Sequence, residues 1–338
     1  MILKDRFYSP ASLIHQMYHI RFFKVPAIKR AGKECDLQCV LTLTNDLGDD
    51  YFFGNADLQV SIRSHSKDHT KQDIIKQALI KWTPGMRACK CSVKFSTSTK
   101  VKSIQVEVDV TKSENHLDPD VISYFVPLFS TVVDLKGDYC TMEKLAVRKM
   151  LLSDKSTVEI TEETGESIAR HVWDAGLAMT QLLPGTWVPK FDTPSPKIIE
   201  LGSGCGIVGI ALARLFPKAS LTLTDLDDAT EVCTRNLRLN QLPNAKFECL
   251  DWDKRDNLSS NWDLVVATDC TYNTDSYNAL LSTLDCLVGP RTTVLIAHKN
   301  RHEAEHLFFS AVADRFTLQS DTCESYHGQK VRIITFTR

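Results

Sequence analysis

The sequence predicts an α/β protein: a strand-rich N-terminal region, then a mostly parallel sheet whose strands alternate with helices. Three observations carry this reading. From about Asp36 to Val110, apolar and polar side chains alternate with period two, as half-buried strands do. From Lys197 onward, short apolar runs alternate with stretches of helical period, the mark of βαβ units. A glycine-rich turn joins the first of those runs to the first of those helices.

In the first region DLQCVLTLT, ADLQVSIRS, CKCSVKFS and SIQVEVDV are strands by their alternation. Between them, KQDIIKQALIKW has the apolar spacing of a helix, broken at Thr83-Pro84-Gly85. The polar run TKSENHLDPD (111–120) reads as a loop and sets a division in the stretch 111–137, giving an N-terminal region 1–135 and a second domain 136–338. ETGESIARHVWDAGLAMTQLL is a leading helix that begins after Thr164-Gly165 and ends at Leu183-Pro184-Gly185. Seven strand-type runs follow: KIIEL, SLTLT, AKFECL, WDLVVAT, TTVLIAH, FTLQS and VRIITF. Helical patterns fill the gaps at 208–215, 229–239, 276–287 and 301–312.

Composition narrows the function. Hydrophobic residues at 43% and charged residues at 24% of 338 belong to a folded globular chain. The 40 basic and 42 acidic residues leave a net charge of -2, which supplies no field for gripping a phosphate backbone, so direct nucleic-acid binding is not expected. No run approaches the roughly 18 apolar residues of a membrane helix, and neither terminus carries a secretion or lipidation signal. Eleven cysteines without a C-x-x-C pair suit free thiols in the cytoplasm or nucleus. No heptad or apolar stripe fixes an oligomeric state.

The most informative segment is IIELGSGCGIVG, residues 198–209, in which a strand runs into glycines and then a helix. Glycines at 202, 204 and 206 let the backbone turn sharply and let a ligand approach it closely. Asp225 ends the next strand, about 20 residues on, where a carboxylate can accept bonds from both ribose hydroxyls of a nucleoside. Gly204, Gly206 and Gly209 also fit the dinucleotide pattern G-x-G-x-x-G, but that frame starts three residues past the strand end. Glu200 beside the turn suits a cationic ligand better than a pyrophosphate.

IIELGSGCGIVGIALA, then LTLTDLDDATEVCTRNLRLN, LDWD and DLVVATDCTY, resembles the seven-β-strand (class I) S-adenosylmethionine-dependent methyltransferases. Within these the chain looks like the family-16 protein methyltransferases, many of which modify lysine; HVWDAGLAMTQLL is similar to the helix before the family's sheet. The resemblance covers about 159–338 and implies a Rossmann-like seven-stranded sheet, S-adenosylmethionine as cofactor and a protein substrate. It further implies that Glu200, Gly202, Gly204 and Gly206 wrap the methionine part of the cofactor and that Asp225 holds its ribose. By the same resemblance Asp251 and Trp252 lie near the adenine, and Trp173 closes over the cofactor. Asp269-Cys270-Thr271-Tyr272 matches the family's D/E-x-x-Y/F signature, which places Asp269 and Tyr272 beside the transferring methyl.

These residue types suit the chemistry. Lysine at neutral pH is almost wholly ammonium and must lose a proton before it can attack. Asp269 can steer the ammonium in and pass its proton to water, while Tyr272 offers an aromatic face and a hydroxyl to orient the amine. Cys270 and Thr271 replace both prolines of the N/D-P-P-Y/F signature of enzymes that methylate base or amide nitrogens, which disfavours a nucleobase substrate. The strand-rich region would then contribute substrate choice. Two other classes stand beside this reading: an NAD-dependent oxidoreductase and a non-catalytic cofactor-binding module.

Several weaker patterns carry little chemistry. Cys35 and Cys39 with His65 and His69 are finger-like pairs, but the cysteines fall in a strand. His298, His302 and His306 are spaced by four and read as a polar helical surface. Cys205 and Cys270 read as small packing residues, and Trp82, Trp187 and Trp262 as core or interface anchors.

Overall fold

The computed structural model of the chain describes residues 15–65, 73–98, 100–115, 122–152, 154–163, 170–183, 190–254 and 258–338. The expected helix start at Thr164-Gly165, its end at 184–185, and His69 and Trp187 lie outside these residues; within them the leading helix begins only at Asp174, because Trp173 is extended and His171 and Val172 are not helical.

The first half is two sheets laid over one core, antiparallel except where β7 runs parallel to β1. Its long strands are β1 (His15–Ala31), β2 (Glu34–Thr44), β3 (Gly54–Ser64), β4 (Ile74–Trp82), β5 (Cys89–Ser96) and β6 (Ser103–Asn115). Shorter ones follow: β7 (Ile122–Val126), β8 (Leu128–Ser130), β9 (Val133–Asp134), β10 (Tyr139–Thr141), β11 (Leu145–Leu151) and β12 (Thr157–Glu163). One sheet runs β10-β1-β2-β5 with β7 beside β1, and the other β12-β11-β8-β6-β3-β4 with β9 beside β6. The period-two pattern is realised literally: on β5, Cys89, Cys91, Val93 and Phe95 are buried and the residues between them are exposed. Leu37, Leu58, Val93 and Val106 from both sheets meet in this core.

Two expectations are corrected here. The helix expected within 71–82 is strand β4, hydrogen-bonded to β3 from Ala56↔Trp82 to Arg63↔Ile74. An edge strand with apolar residues on both faces imitates helical spacing: Ala78, Ile80 and Trp82 point to the core while Leu79, between them, is 57% exposed. The Trp82 indole N–H donates to the Phe52 carbonyl at 3.0 Å and locks that register. The loop expected at 111–120 is strand as far as Asn115, because β6 continues its pairing with β3 to Gly54↔Asn115; residues 116–120 lie outside the described set. Strands β10, β11 and β12, within 139–163, are hydrogen-bonded into the first-half sheets.

The second half contains α1 (Asp174–Leu182), β13 (Lys197–Leu201), α2 (Ile207–Leu215), β14 (Ser220–Asp225), α3 (Thr230–Leu239), β15 (Ala245–Cys249) and β16 (Leu264–Thr268). It continues with α4 (Tyr277–Leu287), β17 (Thr293–His298), α5 (Glu305–Ala313), β18 (Thr317–Tyr326) and β19 (Gln329–Thr337). All seven expected strands form one sheet of order β15-β14-β13-β16-β17-β19-β18, parallel except at β19. The order reverses direction between β13 and β16, and the crevice beyond their carboxyl ends is where such sheets take ligands. Helix α5 starts at Glu305 instead of 301, since the Glu305 carboxylate accepts from the Arg301 backbone N–H at 2.9 Å and fixes 301–304 as a turn before the helix. His298 therefore ends β17 and His302 precedes α5, so the three histidines share no helical face. Among the described residues no helix is long and apolar enough to cross a membrane.

A pair of asparagines joins the halves. On α3, Asn236 and Asn240 reach the free edge of β12, each accepting from a backbone N–H and donating to a carbonyl, at Thr161 and Glu159 respectively. One helix face thus covers a strand edge that would otherwise be open to association. Within the first half, Arg148, 1% exposed, ties the two sheets together: its guanidinium pairs with Glu162 at 2.6 Å and donates to the carbonyls of Ile20, Val126 and Pro127.

Candidate active site

The carboxyl end of β13 opens into a loop in which Gly202, Gly204 and Gly206 all take positive φ, and α2 begins at once after Gly206. At Gly202, with φ +62°, a Cβ would lie 2.6 Å from the Cys270 Sγ, so the close passage of the loop against β16 requires glycine. Asp225, at the end of β14, ties the loop down: Gly204 N–H donates to its Oδ2 and Leu226 N–H to its Oδ1, each at 2.7 Å. Burial pushes the Asp225 carboxyl above its ordinary range.

Glu200 is the last inward acid of β13 and is 3% exposed. It accepts the Gly209 N–H from α2, at 2.9 Å on Oε2, and a Cβ on Gly209 would fall 2.3 Å from that same oxygen. Burial pushes the Glu200 carboxyl up to about 8, and the nearby Asp225 adds to the rise.

The signature at the end of β16 faces this loop. Asp269 has φ +54°, a left-handed conformation that aspartate tolerates better than most residues and that marks a functional turn more often than an ordinary strand end. It does not cap a helix. Its Oδ1 accepts the Lys299 backbone N–H at 3.0 Å, and its Oδ2 accepts from the Arg301 guanidinium at 2.9 Å. Burial raises its proton affinity against the opposing pull of Arg301. Tyr272 stands at the rim, 52% exposed.

Nine of the ten site residues expected from sequence line one cavity of about 420 Å³: Trp173, Glu200, Gly202, Gly204, Asp225, Asp251, Trp252, Asp269 and Tyr272. Gly206 does not; it sits behind the loop as the residue preceding α2, where a Cβ would press on Cys233 and Leu223. Cys205 and Cys270 are fully buried, and burial pushes both thiols well above their ordinary range, which suits packing and not nucleophilic attack. Trp82 is a core residue, and Trp262 packs against the core beneath α4.

Sequence reasoning missed a charged cluster behind Asp269. Arg301 also bonds Asp46 at 2.9 Å, Lys299 Nζ lies 3.3 Å from Asp46 and 2.8 Å from Asp174, and Asp174 meets His19 at 2.8 Å. Only Asp174, in the VWDA run, stood inside a segment the sequence singled out. Asp46 and Arg301 are far apart in the chain and share no local pattern.

Comparison with known proteins decides the family. A sequence family described as lysine methyltransferase matches residues 152–315. The EEF1A lysine methyltransferase 3 of Mus musculus is 34% identical over 169 residues, 48% of this chain and 71% of that protein. The protein N-lysine methyltransferase METTL21A of Danio rerio is 32% identical over 159 residues, 45% of this chain and 70% of that protein. The chain belongs to the lysine methyltransferase family. The UPF0665 family protein C23C4.06c of Schizosaccharomyces pombe is 28% identical over 309 residues, 87% of this chain and 92% of that protein, so the likeness there extends through the β-rich half.

As a member of this family the protein is an S-adenosylmethionine-dependent protein lysine methyltransferase. The cavity fits that cofactor in kind. Gly202, whose missing Cβ lets the loop pass close to Cys270, and the carboxylates of Asp225 and Glu200 surround one space, a set that could take a nucleoside carrying a cationic group. The dinucleotide reading of Gly204, Gly206 and Gly209 gives way to this family, whose members among the relatives are lysine methyltransferases.

Proposed function

We propose that this lysine methyltransferase holds S-adenosylmethionine with the Gly202–Gly206 loop, Glu200, Asp225, Asp251, Trp252 and Trp173, and methylates a lysine that enters past Tyr272 to Asp269. The observation that carries the reading is that the glycine loop and the Asp269-Cys270-Thr271-Tyr272 turn open on the same cavity, with Tyr272 at its rim. The cofactor supplies an electrophilic methyl; the chain must supply a lysine nitrogen with a free lone pair, held in line. Asp269 attracts the incoming ammonium, and its raised proton affinity makes it a better acceptor of the released proton than a solvated carboxylate. Tyr272 faces the entering side chain with its ring.

The test begins with ligand-induced stabilisation. S-adenosylhomocysteine and S-adenosylmethionine should each raise the melting temperature, by several degrees at about 100 times Kd, and NAD should not. Tritiated S-adenosylmethionine then labels acceptor proteins, EEF1A being the first to try because the mouse relative carries it in its name. Label on glutamine or on nucleic acid, and none on lysine, would overturn the proposed chemistry.

Glu200 gives the cofactor step a pH signature. Its folded value of about 8 lies above the ordinary carboxyl value, so the empty protein binds a proton there that the unfolded chain releases. Stability of the empty enzyme is therefore favoured by this group at low pH and falls as pH rises from about 4.5 to about 8. A cationic cofactor beside Glu200 must expel that proton, so S-adenosylmethionine affinity should climb as pH rises toward 8 and level off above it. Calorimetry in buffers of different ionisation enthalpy should show proton release at pH 7. Glu200→Gln should abolish the release and flatten the profile.

A further inference from the structure

The loop Asn45–Asp50 between β2 and β3 is built to deliver one buried acid to the active centre. The Asn45 side-chain oxygen accepts the backbone N–H groups of Gly48, Asp49 and Asp50, and Asn45 N–H donates to the Asp50 carbonyl at 2.9 Å. Arg21, on β1, donates to the Asp46 carbonyl at 2.7 Å and to Thr44 at 3.3 Å. Fixed from both sides, the Asp46 side chain is fully shielded from solvent. Its Oδ1 accepts Leu47 N–H and Lys299 Nζ, and its Oδ2 accepts Arg301.

Arg301 spends the same nitrogen, Nη2, on two carboxylates at 2.9 Å each: Asp46 from the β-rich half and Asp269 from the methyltransferase half. A guanidinium facing a lone carboxylate makes two parallel bonds to it. Here Asp269 receives one, shared. The guanidinium carbon also stands 5.3 Å from the ring centre of Trp173, so its position is set on three sides.

We propose that Asp46 is a positioning residue for methyl transfer, holding Arg301 partly off Asp269 so that Asp269 keeps capacity for the substrate ammonium. The β-rich half then completes the active centre and is not a detachable substrate-recognition module. This inference rests on the reading of Asp269 as the group that meets the lysine. Burial pushes Asp46 upward, but Arg301 and Lys299 outweigh it and hold the acid down at about 2, ionised at every working pH. The charged groups around Asp269 are Arg301 and Lys299 after β17, Asp46 from the loop, and Asp174 with His19 behind Lys299. His19 is depressed by burial and stays neutral at neutral pH and above.

The test is Asp46→Asn in the full chain, with the Asp269 carboxyl followed by carbon-13 NMR across pH and assigned by its loss in Asp269→Asn. Without the Asp46 charge, Arg301 settles on Asp269 alone and the Asp269 midpoint should fall by about one unit. The initial rate of tritium transfer to proteins of a lysate lacking the enzyme should drop roughly tenfold, a tenfold loss of transition-state stabilisation. S-adenosylhomocysteine affinity should stay within twofold, and Asp46→Glu should restore the rate in part. An unmoved Asp269 midpoint in Asp46→Asn overturns the proposal. Should that variant not fold, Asp46→Ser removes the same charge and decides the same question: a lowered Asp269 midpoint supports the proposal and an unmoved one overturns it. The midpoint needs no turnover, so a wild-type protein without methyl transfer would refute the proposed function and leave this test readable.

Discussion

Asp269→Asn is expected to lower methyl transfer roughly 100- to 1,000-fold while S-adenosylhomocysteine affinity changes by less than about threefold. Asparagine shares aspartate's tolerance of the left-handed conformation found here at φ +54°, and its side-chain oxygen can still accept the Lys299 N–H. The backbone of the signature turn should therefore survive. What disappears is the negative charge that draws an ammonium and the lone pair that takes its proton. The cofactor cradle, fixed by Gly202, Gly204 and Asp225, touches none of these changes. Single-turnover tritium transfer and calorimetry on the same preparation separate the two effects. A variant that keeps its rate within tenfold of wild type would move the proton-accepting role elsewhere, and one that loses cofactor binding as well would make Asp269 a structural residue.

The sequence readily displays what is written locally. All seven strands of the parallel sheet and the glycine loop were legible, because period-two runs, helical runs and a strand-turn-helix glycine pattern are properties of ten or twenty consecutive residues. At 71–82 the same reasoning chose a helix where β4 forms. An edge strand with one face on the core and Leu79 on the other carries no clean alternation, and pairing with β3 decided the outcome. The start of α5 was misplaced for a related reason: Glu305 bonds the Arg301 N–H and frees the Arg301 side chain to turn toward Asp269. The cluster of Asp46, Lys299, Arg301, Asp174 and His19 was not legible as a cluster, since its members come from β1, the β2–β3 loop, the start of α1 and the segment after β17. Only tertiary folding sums their charges. The Asn236 and Asn240 pair was visible as part of a helix, yet its partner, the edge of β12, could not be named without the sheet order.

Arg148→Met should destabilise the protein by roughly 3–5 kcal/mol, the usual cost of breaking a buried ion pair by removing one partner. Four groups lose a donor at once: the Glu162 carboxylate and the carbonyls of Ile20, Val126 and Pro127. Glu162 is left 2% exposed, with the Val172 N–H at 2.9 Å as one remaining donor and Arg21 and His171 as nearby charges. In the wild type, burial pushes Glu162 upward, but Arg148 and Arg21 outweigh it and bring it down to about 2. A depressed carboxyl contributes stability that is present above about 4.5 and lost as pH falls toward about 2, here of order 3 kcal/mol. Acid sensitivity in that window should therefore be steep in the wild type and shallower in Arg148→Met, whose Glu162 has lost the guanidinium that does most to hold it ionised. Urea unfolding at pH 7 and at steps from pH 4.5 to about pH 2 measures both quantities. The double variant Arg148→Met, Glu162→Leu should recover part of the loss at pH 7, because it removes the stranded charge and keeps the volume. Failure to recover would place the cost in the three carbonyls of β1 and the β7–β8 corner. Arg148 would then be a clamp on backbone joining the two sheets of the first half, with its charge incidental.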